Sequence, residues 1–187
     1  GHYGEFEFHQ VAQRLQTFCS EDLGGFYLDI LKDRLYTAPA NSGARRSAQN
    51  ALHRITHGLT RLMAPILSFT AQEVWELLQP GEASVFEQTW LQIELPRDAE
   101  SLRGRWTKLR TLRGDVTKRL EELRVAGKIG SSLAGDLDFH AEGDAAALLR
   151  SFGDDLRFVF ITSRATLHEG RADDAVATVL PDVWLKV

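Results

Sequence analysis

The sequence predicts a mainly α-helical protein, with a helical bundle over residues 1–130 and a small α+β unit over residues 131–187. Two patterns support this prediction. Through the first two thirds, apolar residues recur three and four positions apart, the spacing that gives a helix one apolar face. From residue 136 onward, polar and apolar residues alternate, as they do in a half-buried strand. The 187 residues, 43% of them hydrophobic, suffice for a buried core.

Amphipathic helices account for most of the first 64 residues, and their predicted bounds are 5–20, 22–36 and 43–63. Gly24 and Gly25 are expected to interrupt the chain or to begin the second helix, since glycine weakens a helix interior. Pro65 is expected to end or kink the third helix because proline lacks the backbone N–H. Cys19, next to Phe18, is expected to be a small buried residue.

A capping box is predicted to start the fourth helix, over residues 71–79, because Thr70 and Glu73 have the spacing of that motif. Phe69 and Val74 have the spacing of the accompanying hydrophobic staple. Trp75, beside Val74 in this helix, is expected to lie in the core. The segment 82–97 reads as irregular.

A long helix is predicted over residues 99–127, with one apolar stripe of leucine, tryptophan and valine. The last third is predicted to hold strands and one helix, with strands near 136–142, 158–161, 165–168 and 183–187 and the helix at 144–152.

Several function classes are excluded. No apolar run approaches the roughly 18 residues of a membrane helix, so we expect no membrane association, and one cysteine permits no internal disulfide framework or multi-cysteine zinc site. Phosphate-loop and nucleophile-elbow motifs are absent. His53 and His57 are four apart, but Arg54 replaces the glutamate of a zinc protease. We therefore predict neither catalytic nor metal-binding residues, and a reducing, cytoplasmic location.

The formal net charge of −4 conceals two basic blocks. Residues 32–61 contain six basic and one acidic side chain, and residues 101–130 contain nine basic and three acidic ones. A basic stripe on an acidic body can bind a polyanion locally, because salt screens charges beyond about 10 Å. The alternative is that both blocks are ordinary solvated helix faces.

Within these blocks, positive charge alternates with aromatic residues. Lys32 lies opposite the apolar stripe of its helix and Tyr36 one turn later, which suits a phosphate and a stacked base. Cations at a helix N-terminus oppose the helix dipole, which favours an external anion or carboxylate partner for the pair that opens the third helix. The cationic candidates besides Lys32 are Arg45, Arg46, Arg103, Arg110 and Lys118.

Four stretches together resemble the C-terminal region of bacterial isoleucyl-tRNA synthetases. They are Phe26-Tyr-Leu-Asp-Ile-Leu-Lys-Asp-Arg-Leu-Tyr-Thr37, Ala44-Arg-Arg-Ser-Ala-Gln-Asn-Ala-Leu52, Met63-Ala-Pro-Ile-Leu-Ser-Phe-Thr-Ala-Gln-Glu-Val-Trp75 and Leu123-Arg-Val-Ala-Gly-Lys-Ile-Gly-Ser-Ser-Leu133. The third is shared with the valyl and leucyl enzymes, so it indicates the class I group, whereas the first is isoleucyl-like. Because the resemblance extends over the whole chain in the same order, we interpret the chain as a non-catalytic fragment.

The resemblance implies a class I anticodon-binding bundle that binds the anticodon stem-loop of isoleucine tRNA. Lys32 matches the lysine of the family stretch and is the first candidate for direct tRNA contact, with Tyr36 as a stacking partner and the five remaining cations as phosphate contacts. The resemblance implies a parent that is an ATP-dependent ligase with catalytic and editing domains. That parent is expected to use Mg²⁺ and a C-terminal zinc and to be a monomer. None of its catalytic signatures lies here, so no cofactor is expected in this chain.

Two alternatives stay open at this point. One is the anticodon-binding domain of a valyl-tRNA synthetase. The other is a helical partner-binding or oligomerisation module, in which the long helix would present a seven-residue apolar repeat to another chain. The members of that repeat are Leu102, Leu109, Val116 and Leu123.

Overall fold

The computed structural model describes residues 1–187, and its contacts divide the chain into two compact units, residues 1–94 and 95–187. The first unit is helical, and the second combines one long helix with a four-stranded sheet. The predicted fold class, a mainly α chain that ends in a small α+β unit, is confirmed. No helix combines the length and the apolar character that a membrane span requires.

Four α-helices and two other helical segments form the first unit. They are α1 (Phe8–Thr17), a π-helical segment (Phe18–Leu28), α2 (Asp29–Tyr36), α3 (Gly43–Met63), α4 (Ser68–Leu78) and a 3₁₀ turn (Val85–Glu87). The predicted third helix coincides with α3, which Ser42 caps by accepting a hydrogen bond from the Arg45 backbone N–H at 3.2 Å.

A small core joins α4 to the segment that follows it. Ala64, Ala71, Trp75 and Val85 are all buried there, and the indole N–H of Trp75 donates to the Ala83 carbonyl at 2.8 Å. The expectation that Trp75 is a core residue is therefore confirmed.

The two glycines expected to interrupt the chain lie within continuous helix. A Cβ on Gly24 would lie 3.1 Å from the Cys19 carbonyl oxygen, and one on Gly25 would lie 3.2 Å from the Ser20 carbonyl oxygen. Both contacts join residues five apart, the spacing of a π-helical turn. The missing side chains thus make room for the wider turn. Cys19, in the same segment, is exposed, so the prediction that it is buried is wrong.

The predicted capping box is also wrong. Helix α4 begins at Ser68, two residues before Thr70, and its N-cap Leu67 makes no side-chain cap. The Ser68 hydroxyl instead donates back to the Ala64 carbonyl at 3.0 Å. Phe69 is 89% exposed, so the hydrophobic staple does not form either.

The second unit begins with its longest helix. Its elements are α5 (Ala99–Val125), a 3₁₀ turn (Ser132–Ala134), β1 (Asp136–Ala141), α6 (Gly143–Arg150), a 3₁₀ turn (Gly153–Asp155), α7 (Leu156–Phe160), β2 (Arg164–Glu169), β3 (Val176–Ala177) and β4 (Val183–Lys186). The strand order is β2-β1-β4-β3, with β1 parallel to β2 and antiparallel to β4.

The core of this unit lies between the helices and one face of the sheet. Leu137 and Phe139 of β1 are fully buried, as are Leu109 and Leu112 of α5. Arg113 of α5 donates from Nε to the Val159 carbonyl at 2.7 Å, which ties α5 to α7. The long helix therefore packs on the sheet.

This packing corrects two expectations. Leu109 and Val116, half of the seven-residue repeat, are 0% and 1% exposed, so the repeat is not presented to another chain. Residues 158–161 were predicted as a strand, but α7 covers most of them, with Val159 and Phe160 facing the core. The contacts divide the chain after Glu94, and the domain boundary at residues 130 and 131 stays a prediction.

Candidate nucleic-acid interface

Lys32 and Tyr36 lie one turn apart on α2, away from its buried residues. Ile30 and Leu31 are 8% and 5% exposed, whereas the Tyr36 side chain is 81% exposed. The Lys32 side chain is 69% exposed. Since residues four apart share a helix face, the ammonium and the ring are both available on one side of α2.

Lys32 is paired with a carboxylate of its own helix. Its Nζ lies 2.9 Å from Oδ1 of Asp29, three residues earlier. An exposed pair of this kind contributes about 0–1 kcal/mol to stability. A phosphate can therefore replace Asp29 as the partner of Lys32 at little cost.

The two arginines at the start of α3 have different surroundings. Arg45 is half-buried, and its Nη1 donates to the Ala38 carbonyl at 3.2 Å, which fixes the loop between α2 and α3. Arg46 is exposed. The first turn of α3 contains no acidic residue, so both charges add to the positive end of the helix dipole.

The loop of residues 37–42 brings these two sets together at one end of the α2–α3 pair. Thr37 closes α2 by donating from Oγ1 to the Asp33 carbonyl at 2.7 Å. The bond from Arg45 to Ala38 then joins the loop to the first turn of α3. Four of the seven predicted residues, Lys32, Tyr36, Arg45 and Arg46, are thus placed on adjoining elements.

The other three predicted residues lie in the second unit, on α5. Arg103, Arg110 and Lys118 are all exposed, and they flank a stripe of buried leucine and valine side chains. At 1.5 Å and 100° per residue, they lie about 10 and 12 Å apart along the axis and within about 80° of one another around it. They form one row of positive charge on the solvent side of α5.

The histidine pair of α3 has a packing role. The rings of His53 and His57 lie 4.5 Å apart, and the His57 ring meets Trp75 edge to face at 5.2 Å. The amide Nε2 of Gln79 donates to Nε2 of His57 at 3.0 Å. Burial, followed by the nearby charges of His53 and Arg61, lowers the pKa of His57.

Sequence comparison gives one family match. The family described as the anticodon-binding domain of tRNA ligase matches residues 1–139, about three quarters of the chain. The chain belongs to this family. The match includes α5, which the contacts place with the sheet, so the domain boundary at residues 130 and 131 stays a prediction.

Three curated relatives are named isoleucine–tRNA ligase. The chain is 55% identical to the protein of Paraburkholderia phytofirmans over 180 residues, 95% of this chain and 19% of the relative. It is 58% identical to that of Nitrosomonas europaea over 185 residues, 96% and 20% of the two chains. With the protein of Burkholderia ambifaria the identity is 55% over 167 residues, which cover 89% of this chain and 18% of the relative. The chain thus spans about a fifth of the length of these relatives.

Proposed function

We propose that this chain is the anticodon-binding part of an isoleucine–tRNA ligase and that it binds the anticodon stem-loop of isoleucine tRNA. The observation that carries the proposal is the placement of Lys32, Tyr36 and Arg46, all exposed, on adjoining elements of a family-matched domain. Splayed bases of an RNA loop are recognised by stacking and edge contacts, while lysine and arginine bind phosphates.

The seven residues would contact the RNA in different ways. Lys32 exchanges Asp29 for a phosphate, and the exposed Tyr36 ring, one turn away, stacks on a base. Arg46 binds a second phosphate. Arg45, already bonded to Ala38, keeps the loop in place and contributes its charge to the same end of α3. The α5 row of Arg103, Arg110 and Lys118 supplies phosphate contacts from the second unit.

The remaining features of the ligase belong to the proposed parent. It attaches isoleucine to tRNA at the expense of ATP, with Mg²⁺ and a zinc module, in domains outside this chain, and works as a monomer in the cytoplasm. This chain contributes no catalytic residue and holds no cofactor. The names of the relatives favour isoleucine over valine as the amino acid of the parent.

A salt titration of RNA binding tests the proposal. The 187-residue chain is mixed with the anticodon stem-loop of isoleucine tRNA, and the dissociation constant is measured by gel shift between 50 and 200 mM salt. Three phosphate contacts at the α2–α3 end and three from the α5 row predict a slope of log affinity against log salt of about −4, at about −0.7 per contact.

A stem-loop with the valine anticodon is the matched control. We expect weaker binding to it at every salt concentration, with a similar slope, because base contacts change and phosphate contacts do not. Affinity that does not depend on salt, or equal affinity for both stem-loops, would contradict the proposal.

A further inference from the structure

The sheet of the second unit has one long open edge. In the strand order β2-β1-β4-β3, the outer strands are β2 and β3. Strand β3 has two residues, whereas β2 has six. An unpaired strand edge exposes backbone N–H and C=O groups that can pair with a further strand. The edge of β2 is therefore the longer template for such pairing.

Alternate residues of β2 direct their backbone groups to this edge. The Gly170 backbone N–H donates to the Ala141 carbonyl of β1 at 3.1 Å, so Gly170 and every second residue before it face β1. The intervening residues of a strand point the opposite way. The N–H and C=O groups of Ala165, Leu167 and Glu169 thus face away from β1, and no other backbone group of the chain pairs with them.

A cavity of about 710 Å³ lies along this edge, and we call it the β2 groove. One wall includes Ala165, Thr166 and Leu167 of β2, and the other is formed by α6, the 3₁₀ turn after it and the start of α7. The side chains of Ala165 and Leu167 are half-buried against the core of this unit, so the strand wall is largely apolar. A strand placed here would find both backbone partners and an apolar surface for alternate side chains.

The rim of the β2 groove has more positive than negative charges. Three arginines line it, together with the carboxylates of Asp154 and Glu169. The arginines are Arg150, Arg157 and Arg164. Arg157 is exposed and makes no ion pair, and its guanidinium lies 4.3 Å from the centre of the adjacent Phe158 ring. Its charge is therefore available to a carboxylate from outside the chain.

The other two arginines are paired only on the surface. Arg150 bonds to Glu169, and Nη2 of Arg164 lies 3.1 Å from Oδ2 of Asp136. All four side chains are more than half exposed. Exposed pairs of this kind contribute little to stability, so an incoming carboxylate can share or replace these partners.

We propose that the β2 groove binds an extended, acidic segment of another protein, which extends the four-stranded sheet beside β2. The backbone of that segment pairs with Ala165, Leu167 and Glu169, and its carboxylates meet the arginines of the rim, Arg157 above all. The same arginines disfavour a basic segment, because like charges facing each other across an interface are costly. Strand addition takes its affinity from the main chain and its specificity from the side chains. This inference goes beyond the proposed function and does not depend on it.

Hydrogen exchange in the 187-residue chain tests the inference with a synthetic peptide. The probe is a blocked peptide as long as β2 that alternates valine and glutamate. At ten times its dissociation constant, it should slow exchange of the Ala165, Leu167 and Glu169 amide protons by about tenfold, because the open edge is then covered most of the time. The amide protons of Thr166 and His168, which already face β1, should change much less.

Two control peptides separate backbone pairing from charge. The same peptide with every backbone amide N-methylated keeps its carboxylates but cannot donate hydrogen bonds from its main chain, so binding should be lost. A peptide with lysine in place of glutamate keeps the backbone and reverses the charge. It should bind at least about fivefold more weakly, since it brings like charges to the arginine rim.

Two arginine variants form a matched pair. Arg157→Ala removes an exposed cation beside the Phe158 ring and should weaken peptide binding about two- to fivefold, the effect of one exposed ion pair. Arg171→Ala removes an exposed cation in a similar setting, 5.6 Å from the centre of the Trp184 ring but outside the β2 groove, and should leave binding unchanged. Melting curves check that each variant is folded.

Several results would overturn the inference. They are equal binding by the N-methylated peptide, equal binding by the lysine peptide, and unchanged exchange at the three edge amides. Protection of these amides by the stem-loop but not by the peptide would assign the β2 groove to RNA, and protection that rises with the concentration of the chain alone would assign it to a second copy. Stem-loop binding tests the proposed function separately, because either ligand can bind while the other fails.

Discussion

Lys32→Ala separates RNA binding from folding. The lysine is 69% exposed, and its ammonium bonds to Asp29 on the same helix. An exposed pair three residues apart contributes about 0–1 kcal/mol, and alanine is the better helix former, so the free energy of unfolding should change by less than about 1 kcal/mol. Any larger effect of this variant on RNA binding then reports a lost contact.

The expected loss of affinity follows from one phosphate contact. A single contact contributes about 0.7 to the slope of log affinity against log salt. Extrapolated from 1 M to 0.1 M salt, a slope change of 0.7 corresponds to a loss of about fivefold in affinity. Lys32→Ala should therefore bind the stem-loop about fivefold more weakly at 0.1 M salt, and the difference should shrink as salt is added.

Lys186→Ala is the matched control for this variant. Lys186 is also an exposed lysine bonded to an aspartate, with its Nζ 2.5 Å from Oδ2 of Asp174, but it lies on β4. Its removal should leave the salt slope unchanged. Asp29→Asn provides a test of opposite sign, because it keeps the lysine and removes a negative charge, so affinity should be equal or higher.

The measurements are a gel-shift titration at several salt concentrations and a urea unfolding curve for each variant. The reasoning about Lys32 is refuted if its removal leaves the salt slope unchanged, or if Lys186→Ala reduces it equally. In the complete ligase, the same variant should raise the KM for tRNA without changing isoleucine activation, since it removes a contact remote from that chemistry.

Two predictions concern stability. His57 has a lowered pKa in the folded chain, so the unfolded state binds the proton more readily. The free energy of unfolding should therefore fall as the pH drops below about 6.5. His57→Gln should make this dependence weaker when urea unfolding is compared at pH 7.5 and 5.5. Leu112→Ala, at a fully buried site of α5, should cost about 2–5 kcal/mol, whereas Leu77→Ala, at a side chain 83% exposed, should cost less than about 0.5 kcal/mol in the same assay.

The helices that the sequence predicts best have both a regular apolar stripe and a clear boundary signal. Helix α3 begins after Ser42, which caps it, and ends before Pro65, so its predicted and observed bounds agree. Helix α5 ends at Val125, within two residues of the prediction, and its stripe of Leu109, Leu112 and Val116 is buried as expected. In both helices, local and tertiary preferences agree, which is when sequence patterns are most informative.

Elements were mispredicted where tertiary packing overrides local preference. Residues 158–161 are aromatic and β-branched, which favours a strand. They lie mostly in helix α7 instead, in which Leu156, Val159 and Phe160 are buried in the core. A cavity of about 360 Å³, lined by Arg61, Phe86 and Trp90 among others, was not predicted from the sequence for a related reason. Phe86 and Trp90 lie in a segment without periodicity, and only the fold brings them to the end of α3.

The seven predicted interface residues differ in whether a substitution would disturb the fold as well as RNA binding. Lys32, Arg103 and Lys118 are exposed on helices whose opposite faces supply the buried side chains, so their charges can be removed without opening a core. Arg45 also braces the loop through the Ala38 carbonyl, so Arg45→Ala would lower RNA affinity through a displaced loop as well as through a lost charge. Arg45→Lys distinguishes the two effects, because it keeps the charge and weakens the directed hydrogen bond. A variant that binds RNA normally but melts earlier would assign Arg45 to the loop, whereas weaker binding with an unchanged melting temperature would assign it to the RNA.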